Sequence, residues 1–113
     1  MKAGVKGINV SNISGNVTGD VFFAQTGRGE DACSFRLAIS QAYKSTTFVR
    51  VNVYGGHVSV CRSRDLSRGD YCVVSGELMN RKVRGELLTE IRCLEIVINP
   101  SGEKREYSDE EDE

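Results

Sequence analysis

Two short segments of the chain alternate strictly between apolar and polar side chains, and this pattern constrains the fold more than any other feature. The segment CSFRLAIS at 33–40 has large apolar residues at its odd positions, and FVRVNVY at 48–54 has three valines on one face. A period of two residues is typical of half-buried β-strands. The residues expected to face a core are Cys33, Phe35, Leu37, Ile39, Val49, Val51 and Val53.

Three further strands and one helix are predicted around this pair. The strands cover 5–17, with a kinked continuation over 20–25, then 71–79, with a bend at Gly76, and 87–98. A short helix fits within 56–66, with Val58, Cys61 and Leu66 buried, and a basic hairpin tip is expected over 80–85. Five strands with a helix between the third and the fourth form the element order of an all-β, five-stranded Greek-key OB-fold barrel.

The formal net charge of −1 conceals two regions of opposite charge. Residues 1–98 carry 13 Lys and Arg against 9 Asp and Glu, whereas residues 99–113 carry 2 against 7. The sequence therefore predicts a basic folded domain over 1–98 and an acidic tail over 99–113. Because Tyr107 is the one hydrophobic residue of 103–113, this segment cannot bury enough surface to fold alone, and we expect it to be disordered.

The residues that usually carry chemistry argue against an enzyme. The four cysteines form no CxxC pair and His57 is the only histidine, so neither a zinc site nor a nucleophile–histidine pair is expected. Cys33, Cys72 and Cys93 lie in apolar segments and are expected to be buried in a protein of a reducing compartment. We predict no metal, no cofactor and no membrane association. A cytoplasmic location follows, since neither a signal peptide nor a membrane-spanning run is visible.

The outward face of the strand over 48–54 carries the strongest functional signal. Phe48 and Tyr54 flank Arg50 there, although the solvent-exposed face of a strand usually has small or charged residues. Exposed rings stack on unpaired bases and guanidinium groups bind phosphate, so this face is suited to an oligonucleotide. The same rings could instead pack against a partner subunit or under a loop. Other candidate contacts are Arg36, Tyr43, Lys44, Arg68, Arg81, Lys82 and Arg84, although Tyr43 shares the parity of the core positions.

These residues resemble the single-stranded DNA-binding protein family of bacteria and their phages over roughly 4–98. The matching segments are NVSNISGNV at 9–17, FRLAIS at 35–40, FVRVNVYG at 48–55, LSRGD at 66–70 and VSGEL at 74–78, followed by Arg81 and Lys82. The resemblance implies sequence-independent binding of single-stranded DNA in replication, recombination or repair, by a homodimer or homotetramer. The family's stacking aromatics correspond to Tyr43, Phe48 and Tyr54, its strand arginine to Arg50 and its basic residue before the turn glycine to Arg68.

The chain also departs from the family pattern. Val83 stands where the family often has another aromatic, and the short loop over 44–47 implies a smaller DNA footprint. The tail keeps the family's acidity but lacks the terminal proline–hydrophobe pair that docks replication and repair proteins, and such brevity is more typical of a phage or plasmid member. The tail residues that would contact a partner or the DNA site are Tyr107, Asp109, Glu110, Glu111, Asp112 and Glu113.

The sequence leaves two other functions open. One is an OB-fold protein-interaction module of replication-accessory type, whose outer face would bind a subunit or a replication protein. The other is an RNA-binding OB-fold protein, because nothing in the sequence selects for or against the 2′-hydroxyl.

Deletion of residues 103–113 is expected to tighten the binding of single-stranded DNA at low salt. The acidic tail is expected to compete with DNA for the basic domain, the alternatives being a disordered end that only adds solubility or a docking segment for partner proteins. Because salt screens the attraction between tail and domain, the gain should fade as the salt concentration rises. Titration of the full and the shortened chain with labelled oligo(dT) at low and high salt measures the effect. Equal affinities at low salt would contradict the prediction.

Overall fold

The computed structural model describes residues 4–42 and 45–100 of the chain. Within them it contains β1 (Ser11–Gln25), β2 (Asp31–Ser40), β3 (Thr46–Tyr54), α1 (His57–Ser63), β4 (Tyr71–Val83) and β5 (Glu86–Ile98). The strands close into a barrel in the order β1-β2-β3-β5-β4, in which β3 and β5 are parallel and all other neighbours are antiparallel. This confirms the predicted OB-fold barrel, with its helix between the third and the fourth strand.

The alternating side chains of β2 and β3 meet in one core inside the barrel. At the predicted inward positions, the fully buried residues are Cys33, Phe35, Leu37, Val51 and Val53. Ile39 and Val49 occupy the same faces near the end of the β2–β3 pair where the two strands are connected, and they are only half-buried. The strand pair therefore presents its other face, which carries the candidate binding residues, away from the core.

The helix α1 covers one end of the barrel. Val58, Cys61 and Leu66 are buried there, as predicted, and all four cysteines are buried free thiols. Burial raises the pKa of Cys72 and of Cys93 to about 12, so these thiols stay protonated at neutral pH. Across the described residues, no helix has the length and hydrophobicity needed to cross a membrane.

The first strand starts later than the prediction of 5–17. β1 begins at Ser11, and the apolar residues of 5–10 are exposed and lie outside any strand. In this segment the side chain of Asn9 takes the place of strand pairing, because it donates to the carbonyl of Leu78 at 2.9 Å and accepts from its N–H at 2.8 Å. The alternation of apolar residues upstream of Ser11 therefore predicted a wrong start for β1.

The β4–β5 hairpin is longer than predicted. The prediction that residues 80–85 form its tip is wrong, because the tip is shorter. β4 continues to Val83, and only Arg84 and Gly85 form the turn. Both have positive φ angles, 51° and 84°, which is the geometry of a two-residue hairpin turn. The predicted bend at Gly76 is confirmed by a register shift between Ser75 and Gly76. A Cβ at Gly76 would lie 2.1 Å from the carbonyl oxygen of Arg92 on β5, so only glycine allows the strands to approach there.

The turn after α1 is fastened to the end of β5. The fully buried carboxylate of Asp70 accepts hydrogen bonds from the backbone N–H of Ser67 and from Nδ2 of Asn99, both at 3.0 Å. Asn99 also bonds the backbone of Tyr71 through its own N–H and its Oδ1. These contacts fix the loop that presents Arg68.

Candidate nucleic-acid interface

The outer face of β2 and β3 brings the predicted binding residues of these strands together. The register places Phe48 opposite Ala38, Arg50 opposite Arg36, and Tyr54 opposite Ala32. Phe48 is 37% exposed, and Arg50 and Tyr54 are half-buried, so the predicted outward side is confirmed for all three. Each ring thus lies opposite an alanine at one end of this outer face, with Arg36 and Arg50 between the two rings, and we call it the β2–β3 face.

Both rings of the β2–β3 face have a guanidinium group beside them. The guanidinium carbon of Arg36 lies 4.6 Å from the centroid of the Phe48 ring, and that of Arg92 lies 5.8 Å from the Tyr54 ring. Cation–ring attraction is favourable within about 6 Å, so these contacts hold positive charge next to each aromatic surface. Arg92 was not predicted as a site residue. It lies on β5 between Ile91 and Cys93, which are core positions, and only the pairing of β5 with β3 places it near Tyr54.

A buried carboxylate borders the β2–β3 face. Glu90 is 4% exposed and accepts hydrogen bonds from Arg81 Nε at 2.9 Å, Arg81 Nη2 at 2.8 Å and Asn52 Nδ2 at 2.8 Å. The hydrogen bond from Arg81 lowers the pKa of Glu90, although burial opposes the shift, and the same bond raises the pKa of Arg81. Asn52 is on the outward side, as predicted, but it is only 7% exposed because this cluster covers it. Arg81 is therefore held as an ion pair at the edge of the face.

The other predicted cations are spread around the barrel. Lys82 follows Arg81 in a continuous strand, so the two side chains point to opposite sides of the hairpin. Arg84 lies in the hairpin turn. Arg68 lines a cleft of about 500 Å³ together with residues of 19–23, and Phe22 is the lining residue that this cleft shares with the cavity beside Tyr54. The structure does not gather these side chains with Arg36 and Arg50.

Sequence reasoning missed an exposed aromatic residue next to the β2–β3 face. Phe22 of β1 is 55% exposed, and its register partner on β2 is Ser34. Together with Tyr54 it borders a cavity of about 130 Å³ on this side of the barrel. The Phe22–Phe23 pair was visible in the sequence, but the kink before it made the outward side of β1 impossible to assign.

Several predicted residues lie outside the described part of the chain. These are Tyr43, Lys44 and the tail residues Tyr107, Asp109, Glu110, Glu111, Asp112 and Glu113. Among the residues that are described, no three histidine, cysteine, aspartate or glutamate side chains cluster in a way that could hold a metal ion. His57 is exposed at the start of α1.

The chain is similar to known proteins both in its sequence and in its fold. The sequence model described as the Single-strand binding protein family matches residues 8–101. The structure is similar to the dimeric structure of the N-terminal domain of PriB from Thermoanaerobacter tencongensis, with a TM-score of 0.67 and 16% sequence identity. The match covers 81% of this chain and 97% of that chain, and at this identity it shows a shared fold. No curated protein sequence matches the chain.

The Glu90 cluster is expected to make stability depend on pH. Pairing holds the pKa of Glu90 below the value of about 4.3 that glutamate has in unfolded chains. Its stabilisation should therefore be present above about pH 5 and be lost as the pH falls through the lowered folded pKa. Urea unfolding of the wild type and of Glu90→Gln should show a difference in unfolding free energy at neutral pH that shrinks towards about pH 3.

Glu77→Gln is the matched control for this measurement. The Glu77 carboxylate lies 3.8 Å from Arg92 Nε with 39% of its side chain exposed, so solvent screens the pair and its loss should change the unfolding free energy much less. A difference between wild type and Glu90→Gln that stays constant with pH would contradict the prediction.

Proposed function

The chain belongs to the single-strand binding protein family, and from this and from the β2–β3 face we propose that it binds single-stranded DNA without regard to sequence. In this role it protects and organises single strands during DNA replication, recombination or repair. The observation that carries the proposal is the pair of rings, Phe48 and Tyr54, held on an open sheet face with a guanidinium group beside each.

The two rings supply the sequence-tolerant part of the binding. Every base has a flat π-face, so an aromatic side chain on an open sheet accepts any of them. Each stacked base contributes about 1–3 kcal/mol. Phe48 and Tyr54 lie at opposite ends of β3, roughly 20 Å apart along the strand, so one strand of DNA can contact both rings with different nucleotides. Tyr43 is proposed as a third stacking residue on the basis of the family resemblance.

The phosphate backbone is proposed to follow the cations between the rings. Arg36 and Arg50 are direct cross-strand partners on one face. Like charges in this position repel each other, so a phosphate bound between them relieves an unfavourable contact in addition to forming charged hydrogen bonds. Arg81, held in place by Glu90, borders the same face. Lys44, Arg68, Lys82 and Arg84 are proposed as outer contacts that extend the track.

Self-association and the tail complete the proposal. The similar PriB domain is dimeric by its description, and we propose that this chain also forms a homo-oligomer, a dimer or a tetramer. The binding domain spans 1–98, and the acidic segment 99–113 competes with DNA or docks replication and repair proteins. No bond is made or broken in this function, which requires no cofactor.

Removal of either ring is expected to weaken DNA binding. Phe48→Ala and Tyr54→Ala should each lower the affinity for oligo(dT) by roughly 5- to 100-fold, the equivalent of one lost stack of about 1–3 kcal/mol. Tyr54→Phe keeps the ring and should bind within a few-fold of the wild type. Anisotropy of a labelled oligo(dT) measures the affinity, and circular dichroism verifies that each variant is folded. Unchanged binding by folded alanine variants would refute the proposal, and stronger binding of oligo(rU) than of oligo(dT) would assign the face to RNA.

The affinity is expected to depend steeply on salt. If about four phosphates are neutralised, the logarithm of the affinity should fall with the logarithm of the salt concentration with a slope of about −3. Arg50→Gln removes one contact and should reduce the slope by about 0.7. Arg62→Gln is the matched control, because Arg62 lies on α1 over the ring of Phe23, 4.5 Å from its centroid, and should leave the slope unchanged. A slope near zero for the wild type would contradict the phosphate track.

A further inference from the structure

The position of Phe22 depends on a bulge in β1. Thr18 pairs with Arg36 and Phe22 pairs with Ser34, so the register leaves two more residues on β1 than on β2 between these pairs. Gly19 within the bulge has a φ angle of 76°. An insertion of two residues preserves the side to which later side chains point, and Val21 accordingly packs against the core while Phe22 points outward. The predicted kink is thus a β-bulge that places the ring of Phe22 beside the β2–β3 face.

A narrow gap separates Phe22 from Tyr54. Phe22 of β1 lies opposite Ser34 and Tyr54 of β3 lies opposite Ala32, so the two rings rise from neighbouring rows on either side of β2, with Cα atoms roughly 11–12 Å apart. Between them β2 contributes Ala32 and Ser34, whose short side chains leave the cavity of about 130 Å³, and Cys33 between these two residues also lines it. A flat ring placed between two others needs about 7 Å between the outer ones, twice the carbon–carbon contact distance of about 3.5 Å. Rings that lean towards each other across one strand can reach this separation.

The floor of the gap offers polar groups to the edge of a ring. Asn52 lines the cavity, and its Nδ2 is turned to the carboxylate of Glu90, which can only accept. Within 4–42 and 45–100, the Oδ1 atom of Asn52 accepts no hydrogen bond, so a nearly buried acceptor remains available. Ser34 is also in the lining, and its hydroxyl can donate while its oxygen accepts from Arg50 Nη1 at 3.5 Å.

We propose that this gap is a slot for one unpaired pyrimidine base, inserted edge-first between Phe22 and Tyr54 with its polar edge at Ser34 and Asn52. The inference rests on the proposed binding of single-stranded DNA and adds a residue, Phe22, and a base class to it. The size of the gap favours a pyrimidine, because its volume of about 130 Å³ is close to that of a cavity that accommodates a single six-membered ring. A purine enters the slot only in part. Each base has a donor beside an acceptor on its pairing edge, so the polar floor adds affinity without distinguishing among bases.

Two variants test the slot from opposite directions. Phe22→Ala removes one wall, and Ala32→Leu fills the gap while keeping both rings. Each should lower the affinity for oligo(dT) of about 10 nucleotides by roughly 5- to 100-fold, the loss of one stacked base. The effect on oligo(dA) should be smaller, so the ratio of dT to dA affinity should fall in both variants. Because the self-stacking of oligo(dA) is the same for every protein, a change in this ratio reports the protein alone.

Phe23→Ala is the matched control. Phe23 does not line the cavity and its ring lies against Arg62 of α1, so its loss should leave the ratio unchanged. The chain has no tryptophan, and Phe22→Trp therefore places a single tryptophan in the slot wall, whose emission can be measured separately from that of the tyrosines. Its emission should be quenched when oligo(dT) is added, whereas that of Phe23→Trp should change little.

The outcomes separate this inference from the function on which it rests. If the wild type retains neither oligomer, the proposed function fails. If the wild type binds both but Phe22→Ala and Ala32→Leu bind as the wild type does and Phe22→Trp is not quenched, the slot is refuted and the proposed function stands. Equal losses for oligo(dT) and oligo(dA) in both variants would overturn the assignment to pyrimidines.

Discussion

The antiparallel pairing of β2 with β3 is the constraint on which the rest of the structure depends. Because side chains alternate across a sheet, one register places Phe35 and Val51 in the core and, one residue further on, Arg36 and Arg50 on the outside. A slip by a single residue would exchange the two sets and destroy the core and the binding face together. The buried valines and phenylalanine therefore act as the scaffold that fixes where the rings and cations stand.

Glu90 shows how the barrel balances charge beside this face. An anion would weaken DNA binding if it faced the phosphates directly, but here the carboxylate is buried and satisfied by Arg81 and Asn52. Only the Glu90 side of this ion pair is buried, since 43% of the Arg81 side chain is exposed, and in addition to its pH-dependent stabilisation the pair has an orienting effect. It fixes the plane of the Arg81 guanidinium and turns the amide of Asn52 so that its carbonyl oxygen faces away from Glu90.

The sequence predicted the features that follow from the alternation of side chains within one strand. It did not predict those that depend on contacts between different strands of the barrel. Alternation alone predicted the outward side of Phe48 and Tyr54 and nearly all of the buried set of β2 and β3. The length of the β4–β5 hairpin was missed because its polar residues lack strand propensity and are ordered by cross-strand pairing. The Arg81–Glu90 pair and the place of Arg92 depend on which strands are neighbours. Whether Phe22 points outward depends on the number of residues in the β1 bulge, and the alternation of apolar and polar residues does not give that number.

A slot that favours pyrimidines is compatible with binding that ignores sequence. Phe48, at the end of β3 away from the slot, is proposed to accept any base, and the proposed phosphate contacts do not depend on the base at all. If one contact among several prefers a smaller ring, the preference is limited to the free energy of one partly inserted base. A flexible single strand can also shift by a nucleotide to place a pyrimidine in the slot, so that mixed sequences lose little. The slot would therefore set the register of the strand on the protein, and the open face would supply most of the affinity.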